Sequence, residues 1–167
     1  MRILIAAVGR SQKGAAETAA ALNYLHQAGH LGAPMGFGPM TLREVEDRSR
    51  NSRPNSGEIL RSRQREAELL LAEMPKGAKL AALDETGREM SSREFANWLG
   101  GTKDQGLRDL VFAIGGADGH GPSLLERSDI TLSLGKLTWP HMLVRLMLTE
   151  QIYRAVSILA NHPYHRG

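Results

Sequence analysis

The sequence predicts an α/β fold in which a mostly parallel sheet is covered by helices on both faces. Three observations lead to this class. The apolar stretches at residues 3–8, 79–83 and 110–114 are continuous rather than alternating, as in strands that are buried on both sides. Helical patterns separate them, so that strands and helices alternate along the chain. The length of 167 residues fits one domain, which we expect to span residues 1–167.

The first half of the chain is predicted to contain a strand, a helix, a loop, a strand and a helix, over residues 3–8, 14–29, 32–39, 40–45 and 55–74 in that order. Gly29 is the expected end of the alanine-rich first helix. The loop holds five Gly and Pro residues, which interrupt regular structure. Pro75 ends the second helix because proline cannot continue it.

The second half is predicted to contain three strands and two helices, over residues 79–83, 92–99, 110–114, 130–134 and 140–159. Asp84 ends the first of these strands. Ser91 and Glu94 have the spacing of a capping box, and Pro122 and Pro140 suit first helical turns. The last helix is apolar nearly all round and must be covered on more than one side. Either a partner subunit or the core of the same chain can cover it.

Composition and charge exclude several classes of protein. The chain has no cysteine, so disulfide scaffolds, thiolate zinc sites and cysteine nucleophiles are excluded. The net charge of +3 and the pI of about 9.5 permit a polyanionic partner. No stretch of 18 apolar residues is present, and the N-terminus reads as a strand rather than a signal peptide. We therefore expect a cytoplasmic protein without a membrane partner.

Arginine is concentrated in residues 43–65, which hold seven arginines against four acidic residues. This segment is either a solvated surface or an RNA-facing patch, and the planar fork of arginine favours contacts to phosphate or bases. Arg145 and Arg154 interrupt the apolar last helix. Arg154 either pairs with Glu150, four residues away, or is held ready for an anionic or carbonyl-rich ligand. The second alternative applies to Arg145 as well.

Two loops are candidates for a ligand site because each follows a predicted strand. Residues 115–122 hold four glycines in seven positions, and residues 134–139 precede Pro140. In open α/β sheets, ligands bind beyond the carboxyl ends of strands, and these loops suit two walls of one pocket. Neither loop has the dinucleotide or P-loop pattern. The alternatives are a tight turn and an ordinary connection.

Other catalytic patterns are weak. His26 and His30 are four residues apart, but no H-E-x-x-H motif is present and no metal site is predicted. There is no G-x-S-x-G elbow for a serine nucleophile.

Several motifs together closely resemble the SPOUT-class methyltransferases that modify a pseudouridine of bacterial large-subunit ribosomal RNA at N3. These motifs are the opening I-A-A-V-G, L-A-A-L-D at 80–84, F-A-I-G-G-A-D-G at 112–119, L-T-W-P-H at 137–141, V-R at 144–145, E-Q-I-Y-R-A at 150–155 and H-P-Y-H-R at 162–166. Each is weak alone, and the combination is specific. His120 and Gly121 depart from the family pattern, and residues 32–65 match it only loosely.

The resemblance implies a SPOUT-type fold with a C-terminal trefoil knot, the knot and tail lying roughly in residues 108–167. It implies a homodimer that uses S-adenosyl-L-methionine and acts on 23S rRNA in the assembled ribosome, with no DNA partner. The cofactor site would be formed by Leu83, Gly115, Gly116, Leu134, Gly135, Lys136, Leu137, Thr138 and Trp139. The residues facing the RNA base would be Arg154, Tyr164, His165 and Arg166.

This chemistry gives each tail residue a hypothetical role. His165, or solvent, is a candidate acceptor for the N3 proton. Arg154 or Arg166 would stabilise negative charge on the base carbonyls, and Tyr164 would stack on the base.

Two other functions remain as alternatives. A nucleotide-binding oxidoreductase would need an acidic ribose ligand after a glycine-rich first turn, which residues 9–14 do not provide. A non-enzymatic RNA-binding module for ribosome assembly would bind ribosomes without any cofactor.

Overall fold

The structure is a computed structural model that describes residues 1–12, 14–47 and 55–164. Within these ranges the strands are β1 (Arg2–Val8), β2 (Met40–Val45), β3 (Lys79–Glu89), β4 (Asp109–Ile114) and β5 (Ile130–Ser133). The helices are α1 (Ala16–Gly32), α2 (Ser56–Ala72), α3 (Ser92–Asp104), α4 (Pro122–Arg127) and α5 (His141–Leu159). A 3-10 turn over Ala33–Met35 follows α1.

The five strands form one parallel sheet in the order β2-β1-β4-β3-β5. All carboxyl ends therefore lie at the same edge, and the loops that follow β3, β4 and β5 leave from neighbouring positions. This arrangement confirms the predicted α/β class. The trefoil knot and the single-domain extent stay predictions.

The core lies on both faces of the sheet, because successive side chains of a strand point to opposite sides. Ile3, Ile5 and Ala7 of β1 belong to a cluster that includes residues of α1, α3 and α5. Ala6 and Val8 belong to a second cluster that includes residues of α2 and α4. The continuous apolar strands of the sequence are thus explained by helices covering both sides.

Helix α5 is covered mainly by α1 and α3 of the same chain. Leu148, Ile152 and Val156 are at most 1% exposed and lie in the cluster shared with those helices. Within the described residues, the core of the chain thus accounts for most of the apolar surface of α5. No helix in the described part of the chain is long and apolar enough to cross a membrane.

The described boundaries correct several predictions. Helix α1 continues through Gly29 to Gly32, because its packing against α5 outweighs the weak helix propensity of glycine. Helix α3 runs five residues beyond the predicted end at 99, to Asp104, with Leu99, Gly100 and Thr102 buried. Pro140 is the N-cap of α5 rather than its first residue.

The largest correction concerns the end of β3. Asp84 does not end the strand, which continues to Glu89. After a shift in register, Arg88 pairs with Leu132 and Glu89 with Ser133 of β5. Gly87 makes this close approach possible, since a Cβ there would lie 2.6 Å from the Leu132 carbonyl carbon. Residues 84–89 are mostly polar, so a prediction based on apolar runs does not extend the strand over them.

Arg145 is buried, although it interrupts the apolar surface of α5. Its Nη2 donates to the carbonyls of Val8 (2.6 Å) and Gly9 (2.8 Å), and its Nη1 donates to Glu44 Oε1 (2.6 Å). The side chain therefore joins α5 to the carboxyl end of β1 and to β2. The carboxylate and the backbone carbonyls of the chain itself accept from Nη1 and Nη2, so these two nitrogens are not held ready for a ligand, while the buried Nε has no hydrogen-bond partner among the described residues.

Candidate active site

A cavity of about 870 Å³ lies at the carboxyl ends of β3, β4 and β5. Its walls are the segment after Leu83, the glycine loop at 115–119, the loop at 134–139 and the first turn of α5. The volume falls within the range of about 300–1,000 Å³ that is usual for small-molecule sites. The two loops that the sequence singled out therefore do line one cavity.

Eight of the nine residues predicted to bind the cofactor line this cavity. They are Leu83, Gly115, Gly116, Leu134, Gly135, Leu137, Thr138 and Trp139. Lys136 lies in the same loop but is not among the lining residues. Leu137 and Trp139 are 68% and 38% exposed, so the outer wall is open to solvent.

Side chains do not fit at two positions of the glycine loop, so its backbone conformation requires glycine there. Gly119 N–H donates to the carbonyl of Gly116 (3.1 Å), which closes a tight turn, and Gly119 has a φ of +78°. A Cβ on Gly116 would lie 2.8 Å from Glu66 Oε2, and one on Gly115 would lie 3.1 Å from the Gly119 carbonyl carbon. The backbone of this loop, rather than side chains, therefore forms this wall of the cavity.

The second loop begins with a short-range contact that turns the chain out of β5. Gly135 N–H donates to Ser133 Oγ (3.1 Å), and Gly135 has a φ of +105°. Nothing lies within 4 Å of the position that a Gly135 Cβ would take. The left-handed backbone conformation, rather than crowding, thus explains glycine here.

Acidic and basic side chains are among those that line the cavity. Asp84, Glu85, Asp118, Arg63 and His141 contribute to its walls. Asp84 accepts hydrogen bonds from Thr86 N (3.0 Å) and Oγ1 (2.6 Å). Partial burial raises the pKa of Asp84, but these hydrogen bonds and the charge of Arg63 outweigh it, so the pKa lies below its usual value. Asp84 is therefore a carboxylate at neutral pH.

His120 lies behind the glycine loop rather than in the cavity wall, and it is 2% exposed. Burial lowers its pKa, although the Asp84 carboxylate and the carbonyls of Ala113 and Leu83 act in the opposite direction. The ring is therefore neutral at pH 7. The sequence marked His120 as a departure, and the structure shows it as part of the packing beneath the loop.

Arg154 and Tyr164 do not line this cavity but lie together around Glu150. Arg154 donates to Glu150 Oε1 from Nε (3.0 Å) and Nη2 (2.6 Å), and Tyr164 donates from its hydroxyl (3.1 Å). The Arg154 guanidinium carbon also lies 5.1 Å from the centre of the Tyr164 ring. Burial and hydrogen bonds to Tyr24 and Glu150 raise the pKa of Tyr164. Both residues are thus ordered by one carboxylate, while His165 and Arg166 lie outside the described residues.

A second cavity of about 720 Å³ lies between the first cavity and the group of side chains around Glu150. Glu150 lines it, together with apolar residues of α1, α3 and α5. It shares Leu83, Leu132, Leu134 and Gly135 with the first cavity. The group around Glu150 is therefore separated from the first cavity by one shared wall.

Some arginines of the arginine-rich segment form ion pairs or hydrogen bonds within the chain. Arg43 pairs with Glu73 (2.7 Å), Arg65 pairs with Asp47 (2.9 Å), and Arg63 donates to the carbonyl of His120. Arg61 is exposed on α2, and the remaining arginines, Arg48, Arg50 and Arg53, lie outside the described residues. Both interpretations of the segment therefore stay open for those residues.

The sequence reasoning missed Arg63 and His141 as lining residues. His141 stands in the L-T-W-P-H motif that carried the resemblance, so that motif was an available signal. Arg63 was one arginine among seven, and nothing local separated it from the others. Its place depends on how α2 packs against the glycine loop.

Comparison with known proteins gives matches along the whole chain. A family model described as "Predicted SPOUT methyltransferase" matches residues 1–165. Two similar proteins are each named "Ribosomal RNA large subunit methyltransferase H". The one from Paramagnetospirillum magneticum is 49% identical over 166 residues, 99% of both chains. The one from Roseobacter denitrificans is 49% identical over 167 residues, 100% of both.

A solved structure is also similar, at 12% identity and a TM-score of 0.39. It is the SpoU methyltransferase AviRb from Streptomyces viridochromogenes in complex with the cofactor AdoMet. The match covers 92% of this chain and 59% of that one, so this chain spans less than two thirds of its length.

Proposed function

Because this chain belongs to the SPOUT methyltransferase family, we propose that it transfers a methyl group from S-adenosylmethionine to N3 of a pseudouridine in large-subunit (23S) ribosomal RNA. The observation that carries the proposal is the single cavity formed by the glycine loop and residues 134–139. The relatives named as large-subunit ribosomal RNA methyltransferases are similar over the full length of the chain, loops included. The substrate is ribosomal RNA in the assembled ribosome, and the protein acts in the cytoplasm.

The cavity fits S-adenosylmethionine in size and chemistry. Its lining combines apolar side chains suited to an adenine ring, such as Leu83 and Leu132, with loop backbone at 115–119 and 134–139. Gly116 lines the cavity with its backbone, because Glu66 and Val8 fill the space that a side chain would take there. Asp84 and Asp118 add negative charge on the lining, which suits a cationic sulfonium and ammonium.

S-adenosylmethionine supplies an electrophilic methyl group when it is bound. The chain has to hold the donor, orient the base and let the N3 proton leave. The two loops hold the donor, and orientation of this kind contributes several kcal/mol, up to about 7–11, to lowering the barrier. Arg154 or Arg166 stabilises negative charge on the base carbonyls, Tyr164 stacks on the base, and His165 or solvent accepts the proton.

The donor and base functions come from different subunits of a homodimer in this proposal. Within one chain, Arg154 and Tyr164 are held around Glu150 and do not line the donor cavity. This separation supports a site in which the tail of one subunit serves the cavity of its partner.

The proposal is tested with undermethylated ribosomes and labelled S-adenosylmethionine. We expect label in large-subunit RNA, at N3 of a pseudouridine, and none in DNA or in free uridine. Binding of ribosomes with no transfer of label would instead favour a non-enzymatic assembly module. Binding of NAD in place of S-adenosylmethionine in calorimetry would favour an oxidoreductase.

The two-subunit site has its own test. A chain that ends at Ala160 should lose methyl transfer while keeping S-adenosylmethionine binding, because the described part of the tail, up to Tyr164, does not line the donor cavity. Mixing a Gly116→Val protein with an Arg154→Ala protein should restore part of the activity that each lacks. If the mixture stays inactive although mixed dimers form, both functions belong to one subunit.

A further inference from the structure

We propose that Arg63, on α2, is a positioning residue for the methyl donor, acting by holding the glycine loop in its binding shape. This inference rests on the proposed function, because the loop matters for activity only if it holds the donor. Arg63 lines the cavity at the side of Asp84. Its main contact, however, is to the backbone of the loop.

The contact is a two-pronged hydrogen bond to one carbonyl. Both Nε (2.8 Å) and Nη2 of Arg63 donate to the carbonyl oxygen of His120, which ends the loop. The next residue, Gly121, lies so close to α2 that a Cβ there would be 2.7 Å from the Arg63 carbonyl oxygen. The side chain and the backbone of Arg63 therefore both contact the same end of the loop.

Neighbouring residues of α2 contact the loop at other points. The Glu66 carboxylate, which is buried, lies beneath Gly116. Gln64 Oε1 accepts a hydrogen bond from Ser123 Oγ (3.1 Å) just after the loop. Residues 63, 64 and 66 thus form a support along the back of the loop.

The support is itself fixed to the sheet. The Asp47 side chain, 6% exposed and two residues beyond β2, accepts from Arg65 Nε (2.9 Å) and Ser62 Oγ (3.3 Å). The middle of α2 is thereby tied to the carboxyl edge of the sheet. Because α2 is fixed in this way, the hydrogen bonds from Arg63 hold the carbonyl of His120 in place.

Such a support is needed because the loop is rich in glycine. Glycine loses more backbone freedom than any other residue when it is ordered. Ordering the loop on ligand binding would weaken affinity, whereas a loop already held in place avoids that loss. Removing the Arg63 side chain should therefore weaken donor binding without changing the chemical step. A plain arginine contact to RNA would instead affect only RNA binding.

The test measures S-adenosylmethionine binding by calorimetry in the wild type and in Arg63→Ala, Arg63→Lys and Arg61→Ala. Arg61 is a matched control, since it is an exposed arginine on the same helix. We expect Arg63→Ala to weaken binding about tenfold, which corresponds to about 1.4 kcal/mol. Arg63→Lys should lie between the two, because lysine keeps the charge but not the fork. Arg61→Ala should bind as the wild type does.

Two further readouts separate positioning from a structural role. Amide exchange of residues 115–121 in the ligand-free protein should speed up in Arg63→Ala. In methyl transfer, KM for the donor should rise while kcat and KM for the ribosome stay unchanged. Unchanged donor affinity and unchanged exchange in Arg63→Ala would overturn the inference, as would a rise confined to the ribosome KM. No binding by the wild type would instead contradict the proposed function itself.

Discussion

Replacement of Arg145 by methionine tests how the carboxyl end of β1 is held beside the cavity. Methionine keeps an unbranched side chain of similar length but removes every donor. The change removes the Arg145 donors from the carbonyls of Val8 and Gly9 and, within the described part of the chain, leaves the carboxylate of Glu44 with hydrogen bonds from Ser11 alone. We expect a large loss of stability from this single substitution.

The magnitude follows from burial and from the number of contacts. Arg145 is 2% exposed, and removing one partner of a buried charged pair costs about 3–5 kcal/mol. Glu44 is the more accessible partner, its side chain being 29% exposed, and it regains water when Arg145 is lost. We therefore expect the lower end, about 3 kcal/mol. For a domain of this size, that corresponds to a decrease in Tm of about 6–12 °C.

Urea and thermal unfolding measure this loss directly. Arg61→Met is the matched control, since the same replacement on the exposed face of α2 should change stability by no more than about 0.5 kcal/mol. Glu44→Gln should cost less than Arg145→Met, and the double variant should show coupling between the two sites. If Arg145→Met unfolds within about 1 kcal/mol of the wild type, these hydrogen bonds do not hold the end of β1.

Three further changes have expected outcomes that unfolding experiments can check. Gly87→Ala should destabilise the protein by about 1–3 kcal/mol, because its Cβ would meet the backbone of Leu132; an unaltered Tm would contradict the close approach of β3 to β5. Gly29→Ala should stabilise it by about 0.5–1 kcal/mol, since Gly29 lies inside α1 with free space around it; a loss of stability would refute this. His120→Leu should flatten the pH dependence of stability. Burial lowers the pKa of His120 in the folded protein, against the opposing effect of Asp84, and Arg63 lowers it further. The unfolded chain therefore takes up the proton first as pH falls below about 6.5, and the wild type loses up to about 1.4 kcal/mol per pH unit from there to the folded pKa. The exposed-site variant His30→Gln is the control, and parallel profiles of wild type and His120→Leu would exclude this account.

Much of the fold was predictable because burial on both faces leaves a strong local signal. The strands at 3–8, 40–45 and 110–114 were predicted to within one residue of their observed bounds. The capping box of Ser91 and Glu94 was also predicted, and both of its reciprocal hydrogen bonds are present. Caps and apolar runs are determined by residues close in sequence, so they can be read without tertiary structure.

The extension of β3 shows where such reading fails. Residues 84–89 are mostly polar, yet the strand continues and pairs with β5. Pairing between strands depends on which backbone lies alongside, and no local pattern records that. The end of α1 is a similar case, since contact with α5 carries the helix past Gly29.

The sequence by itself determined the elements, the two glycine-containing loops and the family, because these depend on local composition and on motifs. Only the tertiary structure decided the strand order that brings the loops to one cavity. It also decided the partners of the arginines: Arg145 on the carbonyls that end β1, Arg63 on the carbonyl of His120, and Arg154 on Glu150. Arginines in a sequence look alike, and what distinguishes them is the acceptor that folding places within reach of each guanidinium.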